Sequence, residues 1–257
     1  MLSAAELLQL EQESSRELVK VGTYIASQWE KIHTLTYKDA RDSATEVDTA
    51  SENMLRTALS KLLPQAGFMV EEGTSNPKDE LNWVIDPIDG TKQYAHQMPL
   101  YTTQFALMHK NIPILGAVYN PVSQQLFSAS VGNGLRCNSN NFVPKFNRRV
   151  DESIIDVDFG GSNPLTLDAR LSVLKQLTTS FFRVRMFAGI YSIYMLTGAL
   201  DGTISIVGHI NIYDYAPHDI LLQEAGIKVK YLTHNSIGPV RVAGYPHTLH
   251  KLLEVVS

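Results

Sequence analysis

An apolar strand that runs straight into two aspartates constrains this chain more than any other feature. The stretch is Val84-Ile85-Asp86-Pro87-Ile88-Asp89-Gly90-Thr91. A proline interrupts the strand between the two acids, and a Gly-Thr turn follows that can open a helix. Acidic side chains and backbone N–H groups therefore converge on one point. A divalent cation needs the first, and a phosphate oxygen needs the second. Taken alone, Asp-Pro-Ile-Asp-Gly reads equally well as a β-turn with solvated acids.

The remaining sequence is that of an ordinary globular protein. At 257 residues, 44% apolar and 19% charged, the chain suffices for one large domain or two intimate subdomains. A net charge of −4 and the lack of any Lys/Arg run argue against a nucleic-acid polymer as partner. The single cysteine, Cys137, gives no intramolecular disulfide and reads as a small hairpin residue after Gly134. Met1-Leu2-Ser3-Ala4-Ala5-Glu6 lacks the basic start and apolar core of a secretory signal. No apolar run approaches the ~20 residues of a membrane span. The expectation is a cytoplasmic protein with no membrane partner.

Periodicity predicts a long helix over 4–32, with Leu7, Leu10, Leu18, Val21, Ile25, Trp29 and Ile32 on its apolar stripe. A polar link over 34–43 precedes a second helix near 45–63, ended by Pro64. Short strands follow at 67–70 and 82–85. From Thr102 to Gly134 the spacing of turn residues predicts an antiparallel meander. Beyond residue 150 helices alternate with strands: helices near 166–178, 190–200, 215–225 and 247–256, and strands near 182–187, 203–207, 227–231 and 239–243. Gly226 reads as a helix C-cap and Asp201-Gly202 as a turn. The fold class is thus mixed, an α+β first half fused to an α/β second half.

Four acids, Glu71, Asp86, Asp89 and Asp214, stand at strand ends or helix starts. Asp86 and Asp89 must lie close together, and at neutral pH such a pair repels itself unless a proton or a cation intervenes. No Lys or Arg separates them, so a bound metal is the economical explanation. All-oxygen ligands favour Mg²⁺, Mn²⁺ or Ca²⁺ over zinc.

These residues resemble the inositol monophosphatase family of Mg²⁺-dependent, lithium-sensitive phosphomonoesterases. The likeness runs in order from Asp42-Ser43-Ala44-Thr45-Glu46-Val47-Asp48 through Glu71-Glu72 and the Trp83–Thr91 stretch. It continues through Gly116-Ala117-Val118-Tyr119-Asn120-Pro121, Gly160-Gly161-Ser162, Tyr213-Asp214-Tyr215-Ala216-Pro217 and Glu224-Ala225-Gly226. The resemblance implies a layered αβαβα sandwich of the sugar-phosphatase type. It would divide into an α+β subdomain, 1–148, with most metal ligands, and an α/β subdomain, 149–257, carrying Asp214 and the substrate wall. It implies a first metal on Glu71, Asp86 and the Ile88 carbonyl, a second on Asp86, Asp89 and Asp214, and a weaker third near Glu71. Mg²⁺ is the implied ion and Mn²⁺ a possible substitute, with Li⁺ competing at the second site. Gly90 and Thr91 would bind phosphate through main-chain N–H groups, while Thr91 and Asp48 orient the attacking water beside Glu71. Relatives of this kind are commonly homodimers acting on a small phosphomonoester.

The departures concern substrate. Tyr213 replaces a tryptophan, and Pro217 is expected in the first turn of its helix. Inositol-hydrolysing members carry a glutamate near Val207, and Ile190 and Tyr191 make the wall after Gly189 bulkier. A site without that acceptor discriminates weakly among polyols. Lys92 resembles the branches that cleave 3′(2′),5′-bisphosphate nucleotides or histidinol phosphate; a basic residue there could meet a second anionic group, and its bland role is a solvated lysine. A catalytically weak regulatory member is the non-enzymatic alternative. His96, His209 and His218 read as surface or supporting residues, His247 and His250 as solvated, and Asp219 as a charge suited to a helix start.

Overall fold

The computed structural model describes residues 2–31, 36–37, 43–145, 148–160, 167–187, 190–207 and 211–256. Ile32, Asp42, Gly161, Ser162, Gly189, Gly208 and His209, and most of the expected polar link, lie outside them. The chain opens with α1 (Ala4–Gln28), started by a capping box in which Ser3 and Glu6 satisfy each other's backbone N–H groups. A two-stranded pair, β1 (Thr36–Tyr37) and β2 (Ser43–Ala44), leads to α2 (Glu46–Leu62). Then come β3 (Gly67–Val70), β4 (Leu81–Asp89) and the short α3 (Thr91–Ala95). The meander is β5 (Thr102–His109), β6 (Ile112–Asn120), β7 (Gln125–Ser130), β8 (Leu135–Cys137) and β9 (Asn140–Asn141).

Next the chain forms β10 (Ile154–Asp158), α4 (Leu167–Ser180), β11 (Arg183–Arg185), α5 (Tyr191–Leu196) and β12 (Gly202–Ser205). It continues with α6 (Ile212–Glu224) and closes with β13 (Lys228–His234), β14 (Gly238–Gly244) and α7 (Pro246–Val255). Two compact units result: Met1–Phe142 with Asn211–Glu224, and Val143–Ile210 with Ala225–Ser257. This corrects the expected division at 148/149. Helix α6, and Asp214 with it, packs with the first unit, because its apolar residues cover that unit's sheet.

In the first unit the strand order is β3-β4-β5-β6-β7-β8-β9, antiparallel except for β3 beside β4. Alternation sorts its side chains between two faces. Trp83, Ile85, Phe105 and Leu107 join a core with Leu18, Ile25, Leu55 and Leu59 of α1 and α2. Val84, Ala106 and Met108 turn the other way and meet Ala216 of α6. Gly116 lets α6 lie close on β6, since an added Cβ would stand 2.5 Å from Ile220 Cγ2. Buried Glu11 breaks the apolar stripe of α1, and its carboxylate accepts hydrogen bonds from Ser128, Ser130 and Arg136, locking α1 to β7 and β8.

The second unit has a five-stranded sheet in the order β11-β10-β12-β14-β13, in which β10 runs parallel to both its neighbours. Residues of α4 and α7, including Val173, Leu177, Leu249 and Leu252, cover it. Strand β10 is absent from the sequence-based expectation, because Asp156 and Asp158 interrupt its apolar residues. Asp201, expected in a turn, is buried and accepts from Arg148 and from the Ile154 N–H.

Asp156 gives this unit a testable pH dependence. It accepts the Phe187 N–H at 2.8 Å, but burial, helped by the charge of Asp158, pushes its carboxyl up to about 7. In the unfolded chain an aspartate titrates near ~3.9. The folded state therefore binds the proton more tightly, so stability is intact below about pH 4, falls as pH rises towards 7, and is flat above. Asp156→Asn keeps an acceptor for Phe187 and removes the charge. Its unfolding free energy relative to the parent should climb by on the order of 2–4 kcal/mol between pH 4 and 8. A difference that stays constant in denaturant titrations across that range would contradict the assignment.

Candidate functional site

Both aspartates of the opening motif belong to β4, which continues through Pro87 to Asp89 instead of ending at Ile85. In a regular strand, residues three apart face opposite sides. Here Asp86 pairs with Gln104 and Asp89 with Thr102, so three steps on β4 match two on β5. The extra residue is a β-bulge at Pro87-Ile88, where a missing N–H does no harm to the ladder. It turns Asp89 to the same face as Asp86, the face that α6 covers. Ile88 falls on the opposite face, in the core with α1 and α2.

Gln104 shows that the turn succeeds. Its Nε2 lies 3.0 Å from Asp86 Oδ2, 3.2 Å from Asp89 Oδ2 and 3.3 Å from the Tyr213 carbonyl, and its two hydrogens are shared among these three acceptors. Asp86 Oδ1 is buried with no donor to meet it. Burial, followed by the charges of Glu71, Asp89 and Asp214, raises the Asp86 carboxyl well above the usual carboxylate range. All four predicted acids thus act on one point, and all four belong to the first unit. Among the described residues, however, no three His, Cys, Asp or Glu side chains stand close enough to enclose a cation as they are. Electrostatic reach extends further than coordination distance. The donor set still suits a hard divalent cation: it is all oxygen, mutually repelling, and includes one buried oxygen with no donor.

Glu71 follows β3 in a bend whose conformation is set from α2. Buried Glu52 accepts the Glu72 N–H at 2.8 Å and the Gly73 N–H at 3.0 Å. Asp48 lies one turn earlier on the same helix. It is the capping-box acid of α2, accepting from the backbone and hydroxyl of Thr45. Burial raises its carboxyl, while the bonds from Thr45 and Thr91 oppose that rise. Thr91 Oγ1 lies 3.0 Å from both Asp48 Oδ1 and the Ile88 carbonyl, and its one proton serves one of them at a time. Gly90, before it, has φ +94°, and an added Cβ would stand 2.7 Å from the Leu100 carbonyl. Only glycine fits there. Lys92 is exposed.

Asp214 lies in the first turn of α6, which begins at Ile212, three residues before the expected start. That shift overturns two expectations. Pro217 is inside the helix and not in its first turn, and Asp219 is a buried mid-helix residue and not a charge at the helix start. His218 is also buried, with Nε2 3.5 Å from Asp89 Oδ2, whereas His96 is exposed. Tyr191 and Val207 belong to the second unit. There Tyr191 lies buried under the Arg241 guanidinium, 5.1 Å from its ring centre.

Gln104 and Glu52 contact the acids or their loop without being assigned there from sequence, and His218, read as surface or supporting, is buried beside Asp89. A signal exists for two of them. Gln104 is a long polar side chain inside an apolar strand, and Glu52 stands four residues after Asp48, on the same buried helix face. Glu52→Ala should lower stability by about 1–3 kcal/mol, because two backbone N–H groups lose their acceptor. It should also speed amide hydrogen exchange at Glu72 and Gly73. Unchanged exchange at those two amides would show that the bend holds itself.

The Inositol monophosphatase family model matches residues 7–254. Nus factor SuhB of Haemophilus influenzae is 29% identical over 213 residues, covering 80% of this chain and 79% of that protein. Inositol-1-monophosphatase of Synechocystis is 29% identical over 221 residues, covering 83% and 75%. The solved structure of inositol monophosphatase from Anabaena aligns with a TM-score of 0.81 at 24% identity, covering 98% of this chain and 97% of that one. The fold class is therefore the layered αβαβα sandwich expected from the sequence. The chain belongs to the inositol monophosphatase family.

Proposed function

We propose that this protein hydrolyses a small phosphate monoester with the help of divalent cations, Mg²⁺ foremost. The observation that carries this reading is the buried Asp86 carboxylate, with an oxygen no donor meets and three further acids acting on it. Glu71, Asp86, Asp89, Asp214 and the Ile88 carbonyl would hold the ions. Bound there, a divalent cation supplies Lewis-acid polarisation of the phosphoryl group and a more acidic water.

The chain's own groups do the rest. Thr91 Oγ1 can accept a hydrogen bond from a water while donating to Asp48, 3.0 Å away. That relay orients the water and gives its proton a route towards Asp48, a carboxyl whose proton affinity burial has raised. The main-chain N–H groups of Gly90 and Thr91 are proposed to bind the phosphate. Lys92, exposed beside them, is proposed to meet a second anionic group of the substrate. Val207 gives the second unit an apolar side chain where a hydroxyl acceptor would favour inositol, so a broad substrate range is expected.

A second reading has its own support, since several relatives matching most of the chain are named Nus factor SuhB. It makes this protein a weak catalyst with a regulatory role. A panel of p-nitrophenyl phosphate with inositol, sugar, histidinol and nucleotide monophosphates and bisphosphates, assayed with Mg²⁺, separates the two. Turnover on part of the panel supports hydrolysis, and its absence throughout selects the regulatory reading. Asp89→Asn should reduce kcat by at least about 100-fold, with the circular dichroism spectrum and unfolding midpoint near those of the parent. Near-normal turnover would remove Asp89 from the catalytic set.

A further inference from the structure

We propose that Gln104 is a built-in competitor for the divalent cation. Its buried amide holds Asp86 and Asp89 by hydrogen bonds when no cation joins them, and has to yield when one does. The inference rests on the reading of these acids as cation ligands.

Backbone register fixes Gln104 directly opposite Asp86, and its side chain is fully buried. From there one nitrogen reaches an oxygen of each aspartate, at 3.0 and 3.2 Å. Those two oxygens are among the four that a cation shared by Asp86 and Asp89 can draw on. A neutral donor, with two hydrogens for three acceptors, already occupies them. Such charge-assisted bonds are the stronger kind, and breaking them subtracts from whatever affinity the carboxylates offer.

The third partner ties the amide to α6. Pro217 has no N–H, so it cannot give the usual helical bond to the carbonyl four residues earlier, which is that of Tyr213. Gln104 Nε2 donates to that carbonyl at 3.3 Å. The proline inside α6 and the glutamine on β5 therefore fit together: one withholds a donor and the other supplies it, next to Asp214. Satisfying these acceptors leaves Gln104 Oε1 buried without a partner. The amide is thus oriented by the aspartates and the carbonyl at the expense of its own oxygen, as expected of a group whose role is to donate.

Gln104→Met keeps the length and volume of the side chain and removes the donor, and Gln104→Ser withdraws it from reach if the methionine variant folds poorly. Mn²⁺ binding to the full chain, without substrate, is measured by the electron paramagnetic resonance signal of the free ion. The variant is expected to bind Mn²⁺ at least about tenfold more tightly than the parent. In chelator its unfolding midpoint should fall below the parent's, and the gap should close as Mn²⁺ is added. A purely structural glutamine would lower stability without tightening Mn²⁺ binding. Equal affinity would show that the amide does not compete, and weaker binding that it assists; either overturns the proposal. Failure of both parent and variant to bind Mn²⁺ would instead overturn the cation-site reading on which it stands.

Discussion

The charge of Asp86 is buried at the end of a central strand among three further acids, and much of the surrounding structure is arranged around that fact. A carboxylate there is disfavoured twice, by loss of water and by like charges, and both effects raise its affinity for a proton. Chains retain such groups when a positive partner offsets the penalty. Among the described residues, a glutamine amide reaches both aspartates and a buried histidine lies 3.5 Å from Asp89. A neutral amide offsets only part of a double negative charge, which leaves the cluster poised for a cation.

Position follows from strand geometry. Alternation puts Val84 and Asp86 on the face covered by α6, and one inserted residue brings Asp89 onto that face as well. Helix α6 lies on that same face, drawn close by the bare backbone at Gly116, and brings Asp214 to it. On the opposite face α2 supplies Asp48, which reaches Thr91, and Glu52, which shapes the bend carrying Glu71. One helix on each face, α6 and α2, thus brings Asp214 and the bend carrying Glu71 to a pair of aspartates far from them along the chain.

The acids themselves were legible in the sequence, because short-range rules governed them. Val84–Thr91 shows two aspartates beside a Gly-Thr turn within eight residues, a string that by itself reads equally well as a solvated turn. The long helices and the meander followed from apolar periodicity in the same way. Features that depend on partners distant in sequence were not legible. Ile155-Asp156-Val157-Asp158 alternates as a half-exposed strand would, and nothing local marks β10 as a central strand in which Asp156 is buried. The start of α6 was misplaced by three residues because Pro217 reads as an N-terminal residue, whereas Gln104 on another strand compensates for it mid-helix. Asp214 was assigned to the second half because sequence order says nothing of which sheet a helix will cover.

If the four acids hold divalent cations, crystals soaked in Mn²⁺ and measured near the manganese absorption edge will show it in anomalous difference density. Strong peaks are expected between the carboxylates of Asp86, Asp89 and Asp214 and between Glu71 and Asp86. Fully occupied peaks at other sites, with none among these four side chains, would contradict it.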